Sequence, residues 1–299
     1  MPLPDLNKDS LMAAIPGVEH LGDPLAGGQK KVYPCVINGQ EYALKVMFPV
    51  SPEVIGNEES DANDETLDVI AARALREFEI LEQCDSNHLV KVGPLSLERS
   101  NVDGVDIIYF AEEWIEGRSL MEIIAQDGSL PAEDVVLLAE QVSEAVQNIW
   151  SLQKIHRDIK PGNIMRRESG EFVLLDLGMA FALDESSLTD PGRAPGTMRY
   201  FSPEQFDVAR KRNLDFRSDL FALGVVMYET ATGQHPFWTT GMAAQELAFR
   251  IVNLHPAPPA TSNGDISPEL ESIILRLLAK KPHLRYGTIK RFRNALKAV

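Results

Sequence analysis

The sequence predicts an α+β protein with two lobes, a small β-rich lobe followed by a larger helical one. Its 299 residues allow one large domain or a two-lobed unit. Short apolar segments separated by turn-forming residues dominate the part before Gly117, which is typical of strands. After Gly117 the apolar residues recur at helical spacing. We therefore expect an N-terminal extension at residues 1–16 and one domain at 17–298, with lobes at about 17–113 and 117–298.

Three antiparallel strands are expected first, in the segments GVEHLG, KKVYPCVI and QEYALKVMF, the last two joined by a turn at Asn38-Gly39. Residues 50–65 are acidic and predict a loop inserted into the small lobe. A helix should follow from about Thr66 to Gln83, where apolar residues stand at helical spacing. Two more strands, near Leu89–Val92 and Asp106–Ala111, would complete a five-stranded lobe.

The remaining chain predicts mainly helices. Pro131 to Leu152 has the apolar stripe of a long amphipathic helix, and the apolar segment from Asp219 to Thr232 predicts a buried helix. A polar loop is expected between them, from Ala182 to Gly196. Further helices are predicted near Met242–Val252, Pro268–Leu278 and Thr288–Ala298.

Composition limits the function classes. The net charge of −15 argues against nucleic acid or an anionic membrane as a partner and favours a basic protein substrate. Two cysteines, Cys35 and Cys84, are too few for a disulfide framework and fit a reducing compartment. The N-terminus lacks the pattern of a signal peptide, and no apolar run is long enough to span a membrane. We therefore expect a cytoplasmic protein.

One stretch, residues 154–179, contains a dense set of chemically useful side chains. His156-Arg157-Asp158 is followed by Lys160 and Asn163. Two short apolar runs on either side of a polar turn then predict a β-hairpin, which would bring Asp176 next to Asn163. Together these residues provide a carboxylate that can accept a proton, an ammonium group that can bind a phosphate, and two oxygen ligands for a metal. This combination indicates phosphoryl transfer.

The motifs HRDIKPGN, DLG and SPE, at residues 156–163, 176–178 and 202–204, resemble those of the eukaryotic-type Ser/Thr protein kinase family. The resemblance covers about residues 18–296. It implies that Asp158 is the catalytic base and that Lys160 contacts the γ-phosphate of ATP. It also implies that Asn163 and Asp176 hold Mg²⁺.

The same resemblance implies an ATP site. Lys45 corresponds to the strand lysine that binds the α- and β-phosphates, with Glu77 as its partner and Glu79 as the alternative. The glycine-rich loop departs from the family pattern, because only Gly27, with Gly28 beside it, remains. Lys30 or Lys31 could help to neutralise phosphates there. Val32, Ala43 and Met165 would enclose the adenine, and the backbone of Glu113 and Ile115 would pair with its edge.

Other positions carry structural or regulatory expectations. Glu112 falls at a deep position that is usually apolar, so a buried acid there needs a partner. His156 is expected to be structural, Asp219 to hold the backbone of the catalytic loop, and Glu204 to pair with Arg285. For activation by phosphorylation, Thr189 is the first candidate and Ser187 the second, while Asp190 or Glu185 could already supply the negative charge.

Three functions remain open at this point. The first is an active Ser/Thr protein kinase that uses Mg·ATP and a protein acceptor. The second is a pseudokinase that keeps the fold as an interaction module, which the degenerate glycine loop and Glu112 favour. The third is a small-molecule phosphotransferase of similar fold, against which the segment GTMRYFSPE argues because it resembles a peptide-docking segment.

Overall fold

The structure is a computed structural model that describes residues 3–27, 30–48, 62–177, 197–207 and 214–299. The chain forms two compact units. The first comprises residues 1–83 and 90–115, and the second comprises residues 84–89 and 116–299. The first unit is rich in strands and the second in helices, which confirms the predicted α+β class.

A six-stranded antiparallel sheet is the main element of the first unit. Its strands follow the order β1-β3-β4-β6-β5, with β2 paired to the first residues of β3. The bounds are β1 Val18–Leu21, β2 Leu25–Gly27, β3 Lys30–Ile37, β4 Gln40–Met47, β5 Glu98–Val102 and β6 Val105–Glu113.

The strand predicted at Leu89–Val92 is wrong. Leu89 and Val92 each make only an isolated bridge, to Leu174 and Glu112 respectively, whereas β5 lies several residues later. This segment is apolar because Leu89 and Val90 are both buried, although it does not form a strand with continuous pairing. The sequence of β5, ERSNV, is polar because it lies at the edge of the sheet and is mostly exposed, so it carries no alternating apolar signal.

The segment before the first strand contributes to the core of the first unit. Helix α1, Lys8–Ala14, begins after Asn7, whose side chain accepts hydrogen bonds from the amides of Asp9 and Ser10. Leu6, Leu11 and Ile15 are buried in one hydrophobic cluster with residues of β1, β3 and β4. Residues predicted to be an extension before the domain thus cover one face of the sheet.

Helix α2, Ala62–Gln83, begins within the predicted acidic loop, so residues 62–65 are helical rather than part of a loop. Residues 49–61 lie outside the described part of the chain. On the inner side of α2, the ring of Phe78 meets that of Phe110 on β6 edge-on, with centroids 5.6 Å apart. This contact packs α2 against the sheet near Glu77.

The second unit contains the predicted helices, each within a few residues of its expected bounds, and the predicted hairpin. Helix α5 is buried along most of its length and packs closely on α7, because a Cβ at Gly224 would lie 2.6 Å from the Cβ of Leu277. The bounds are β7 Gly117–Ser119, α3 Leu120–Asp127, α4 Ala132–Ser151, β8 Ile164–Arg167, β9 Phe172–Leu174, α5 Phe216–Thr232, α6 Ala244–Asn253, α7 Pro268–Leu277 and α8 Ile289–Leu296.

Candidate active site

The loop that carries the HRD motif is fixed by Asp219 of α5. The Asp219 carboxylate accepts hydrogen bonds from the backbone amides of His156, at 2.9 Å, and Arg157, at 2.8 Å. Arg157 has a φ of 66°, a left-handed conformation that this carboxylate helps to maintain. Burial raises the pKa of Asp219, while the nearby His156 and the two amide donors oppose that effect. The predicted role of Asp219 is confirmed.

His156 links this loop to the strand that leads to Asp176. The ring is fully buried, its Nδ1 accepts the amide of Asp158 at 3.2 Å, and its Nε2 lies 3.1 Å from the carbonyl oxygen of Leu175. Because Nδ1 accepts, the proton is on Nε2, which donates to Leu175. Both nitrogens have partners, as expected for a structural histidine.

The Asp158 carboxylate is buried and held by two donors. Its Oδ2 accepts from Lys160 Nζ at 2.7 Å and from Asn163 Nδ2 at 2.9 Å. Asn163 Nδ2 also donates to the Asp158 carbonyl oxygen at 2.9 Å, which fixes the loop. Burial raises the pKa of Asp158, Lys160 opposes the shift, and the negative charge of Asp176 adds to it. A raised pKa makes a carboxylate a better proton acceptor.

The hairpin brings Asp176 to this loop as predicted. Strands β8 and β9 pair Ile164 with Leu174, and the Leu175 amide donates to the Asn163 carbonyl oxygen at 2.8 Å. Asp176 follows directly, with a φ of 63°. Asp176 therefore lies close to Asn163, and its negative charge raises the pKa of Asp158.

The oxygen atoms here fit magnesium. The Asn163 amide nitrogen is committed to Asp158, so its amide oxygen is the atom left to ligate a metal beside the Asp176 carboxylate. Within the described ranges, no group of three or more His, Cys, Asp or Glu side chains could hold a metal ion. Mg²⁺ does not require such a cage, because it is commonly bound by one or two protein oxygens together with substrate phosphates and water.

In the first unit, Lys45 of β4 lies between two buried carboxylates. Its Nζ is 2.7 Å from Glu77 Oε1 and 2.6 Å from Glu112 Oε1. The pairing with Glu77 confirms the preferred prediction over Glu79. The pairing with Glu112 supplies the partner that the sequence left unidentified, and it follows from the strand register, in which Glu112 lies directly opposite Ala43.

Because side chains alternate along a strand, the strand register shows which face of the sheet each of the other predicted nucleotide-binding residues occupies. Val32 lies opposite Lys45, and Ala43 is two residues from it, so all three share one face of the sheet. Lys31 lies on the other face, where its Nζ is 3.0 Å from Asp5. Lys31 is therefore wrong as an alternative phosphate ligand, since one residue along a strand reverses the face.

The other residues predicted to bind the nucleotide lie in or next to strands. Gly27 ends β2 and pairs with Lys30, while Gly28 lies outside the described residues. The Glu113 amide donates to the Lys91 carbonyl oxygen at 2.9 Å, and the buried Ile115 follows two residues later. Met165 of the second unit is half-buried on β8, opposite Ser119 and Val173.

The segment at residues 197–207 is anchored by the predicted Glu204–Arg285 pair. The guanidinium binds both carboxylate oxygens, at 2.6 and 2.8 Å, and Ser218 Oγ donates to the same carboxylate at 2.9 Å. These contacts hold the pKa of Glu204 below its usual value although burial acts in the opposite direction. The predicted phosphorylation positions Thr189 and Ser187 lie outside the described residues.

Residues 19–297 match the family model of the protein kinase domain. The chain belongs to this family. The kinase domain is 34% identical over 238 residues to a probable serine/threonine-protein kinase PknB of Bifidobacterium longum, covering 78% of this chain and 33% of the relative. It is 35% identical over 189 residues to the serine/threonine-protein kinase PknB of Mycobacterium leprae, a match that covers 63% of this chain and 30% of the relative.

The kinase domain thus spans about a third of the length of the curated relatives that it matches. Among the residues that the structure describes, no helix is both long and apolar enough to cross a membrane.

Proposed function

We propose that this kinase domain transfers the γ-phosphate of Mg·ATP to serine or threonine hydroxyl groups of a protein. The observation that carries the proposal is the Asp158 carboxylate, which Lys160 and Asn163 hold in one loop. Asp176 is brought to this loop by the hydrogen bond between the Leu175 amide and the Asn163 carbonyl oxygen. This arrangement provides a base, a cation and two metal-ligand oxygens at one place. Family membership and the serine/threonine-kinase relatives support the same reaction.

Each group has a distinct role in this reaction. Asp158 orients the acceptor hydroxyl and accepts its proton, and Lys160 neutralises charge on the transferred phosphoryl group. The Asn163 amide oxygen and the Asp176 carboxylate would hold Mg²⁺, which neutralises the phosphate oxygens when bound. His156 and Asp219 position this loop through backbone contacts.

The first unit supplies most of the proposed nucleotide contacts. Lys45, oriented by Glu77, binds the α- and β-phosphates, and the backbone around Gly27 and Gly28 contributes amide donors. Val32 and Ala43 present an apolar surface to the adenine on the same face as Lys45, and Met165 is the third adenine contact. The backbone of Glu113 and Ile115 pairs with the edge of the base.

A pseudokinase remains the second candidate, because Lys45 is held by Glu112 as well as by Glu77. This second carboxylate would compete with a phosphate for the lysine. Binding of ATP without transfer would favour this candidate. Transfer to a small molecule but to no protein would favour a phosphotransferase.

The test is transfer of ³²P from ATP to a basic protein, with Asp158→Asn as the variant. Asparagine keeps the size of the side chain but cannot accept the proton, so kcat should fall by about 10²-fold or more. Nucleotide affinity should stay close to that of the wild type, because the base contacts the acceptor. Asp265→Asn, at an exposed carboxylate, is the control. An Asp158→Asn variant that retains more than about a tenth of kcat would refute the assignment.

A further inference from the structure

Lys45 is shared between two buried carboxylates, those of Glu77 and Glu112. One ammonium group faces two carboxylates, and the Lys45, Glu77 and Glu112 side chains are exposed by only 5%, 2% and 4%. In such a buried site each unneutralised charge is costly, because water is not available to solvate it. If both acids were ionised, the trio would carry one net negative charge before any phosphate arrived.

The surroundings of Glu112 show which groups act on it. Lys45 of β4 binds it directly, Glu77 of α2 repels it, and Lys30 of β3 acts on it as a second cation. Burial raises the pKa of Glu112 to about 7, against the opposing effect of Lys45 and with the support of Glu77. Glu112 can therefore change its protonation state near neutral pH.

We propose that Glu112 competes with the nucleotide phosphates for the Lys45 ammonium group and takes up one proton when they bind. A phosphate oxygen replaces Glu112 Oε1 on Lys45, while the carboxylate accepts a proton from solvent and becomes a neutral acid. Glu77 remains on Lys45 and keeps it oriented. Glu112 thus sets how the affinity of Lys45 for phosphorylated ligands varies with pH, an inference that rests on the proposed function of Lys45.

The competition has a definite dependence on pH. Below pH 7 Glu112 is mostly neutral before the nucleotide arrives, so phosphate meets little competition. Above pH 7 the carboxylate is ionised and must be protonated, which weakens binding by up to about tenfold for each further pH unit. Replacement of the carboxyl group by an amide removes this dependence.

The experiment measures nucleotide affinity by titration calorimetry at pH 6.5 and 8.5 for the wild type, Glu112→Gln and Glu112→Met. The ratio of wild-type to variant Kd for ATP should rise about 25-fold between the two pH values, since the pKa of Glu112 is about 7. Because the variants bind the same nucleotide, titration of its own phosphate cancels in this ratio. Adenosine, which lacks phosphate, should give a constant ratio. The Glu41→Gln control, at an exposed carboxylate of β4, should behave like the wild type.

Calorimetry in two buffers of different ionisation enthalpy reports the proton directly. At pH 8 the wild type should take up about one proton more per ATP than either Glu112 variant. Equal proton uptake and a constant Kd ratio would overturn the inference while leaving the proposed function intact. If ATP fails to bind to the wild type and both folded variants at every pH, the proposed function itself fails.

Discussion

Arg285 is a single side chain whose contacts tie distant parts of the second unit together. It is almost fully buried, and besides Glu204 its guanidinium donates to the carbonyl oxygens of Ala279 and Arg217, at 2.9 and 2.8 Å. Glu204 is 81 residues away in sequence, so the pair fixes the end of the 197–207 segment against the C-terminal helices. The planar guanidinium can satisfy all these acceptors at once, whereas a lysine ammonium group cannot.

We expect Arg285→Lys to destabilise the protein by about 3 kcal/mol, since it breaks a buried pair and leaves Glu204 incompletely compensated. The free energy of unfolding from urea titration measures this. Arg250→Lys is the matched control, because Arg250 forms an ion pair with Glu246 on the surface of α6. Such a pair contributes about 0.5 kcal/mol or less. Equal effects of the two substitutions would show that the two-point binding of Glu204 by the Arg285 guanidinium does not contribute to stability.

At the scale of elements, helix α1 stabilises the sheet that carries Lys45. Leu11 is fully buried, and it shares a cluster with Leu44 and Val46, the two β4 residues on either side of Lys45. Since neighbouring residues of a strand point to opposite faces, α1 packs on one face while Lys45 occupies the other. Ion pairs Lys8–Asp23 and Asp5–Lys31 connect the same N-terminal segment to residues that flank β2 and begin β3.

Leu11→Ala should therefore lower the free energy of unfolding by about 2–5 kcal/mol, the usual cost of a cavity left by a buried leucine. Ala13→Ser changes an exposed position of the same helix and should cost about 0.5 kcal/mol. Chemical denaturation of both variants gives the comparison. A Leu11→Ala variant as stable as Ala13→Ser would mean that residues 1–16 act only as an extension, as the sequence suggested.

The elements that sequence predicted well are those with a local signal. The β8–β9 hairpin follows from two apolar runs around a polar turn, and α4 and α5 follow from their apolar pattern. Strand β5 escaped prediction because an exposed edge strand needs no apolar face. The core role of α1 escaped because seven helical residues give a weak periodic signal.

The same distinction applies to the site. Asp158, Lys160 and Asn163 lie within six residues, so their spacing in sequence indicates their contacts. Glu112 is 67 residues from Lys45, and their contact depends on the register between β4 and β6, which sequence alone left uncertain. That uncertainty mattered because a shift by one residue would have turned the carboxylate away from Lys45.

At the scale of the whole molecule, acidic residues outnumber basic ones. The chain has 44 acidic and 29 basic residues, which gives the net charge of −15. Such an excess creates a long-range field that attracts cationic partners and repels anionic ones, and salt weakens it. In the proposed reaction, this field would act on the encounter with the substrate, whereas Asp158 would act on the chemical step.

If a basic protein segment is the acceptor, kcat/KM for a lysine- and arginine-rich peptide should fall as salt rises from about 50 to 300 mM. We expect a decrease of about tenfold, because the Debye length shortens from about 14 Å to about 6 Å over this range. A peptide with the same serine but no net charge serves as the control and should change little. The reason is that screening acts on the attraction between charges and leaves the contacts around the hydroxyl unaltered. Parallel salt dependences for the two peptides would show that the acidic surface of the molecule plays no part in selecting its substrate.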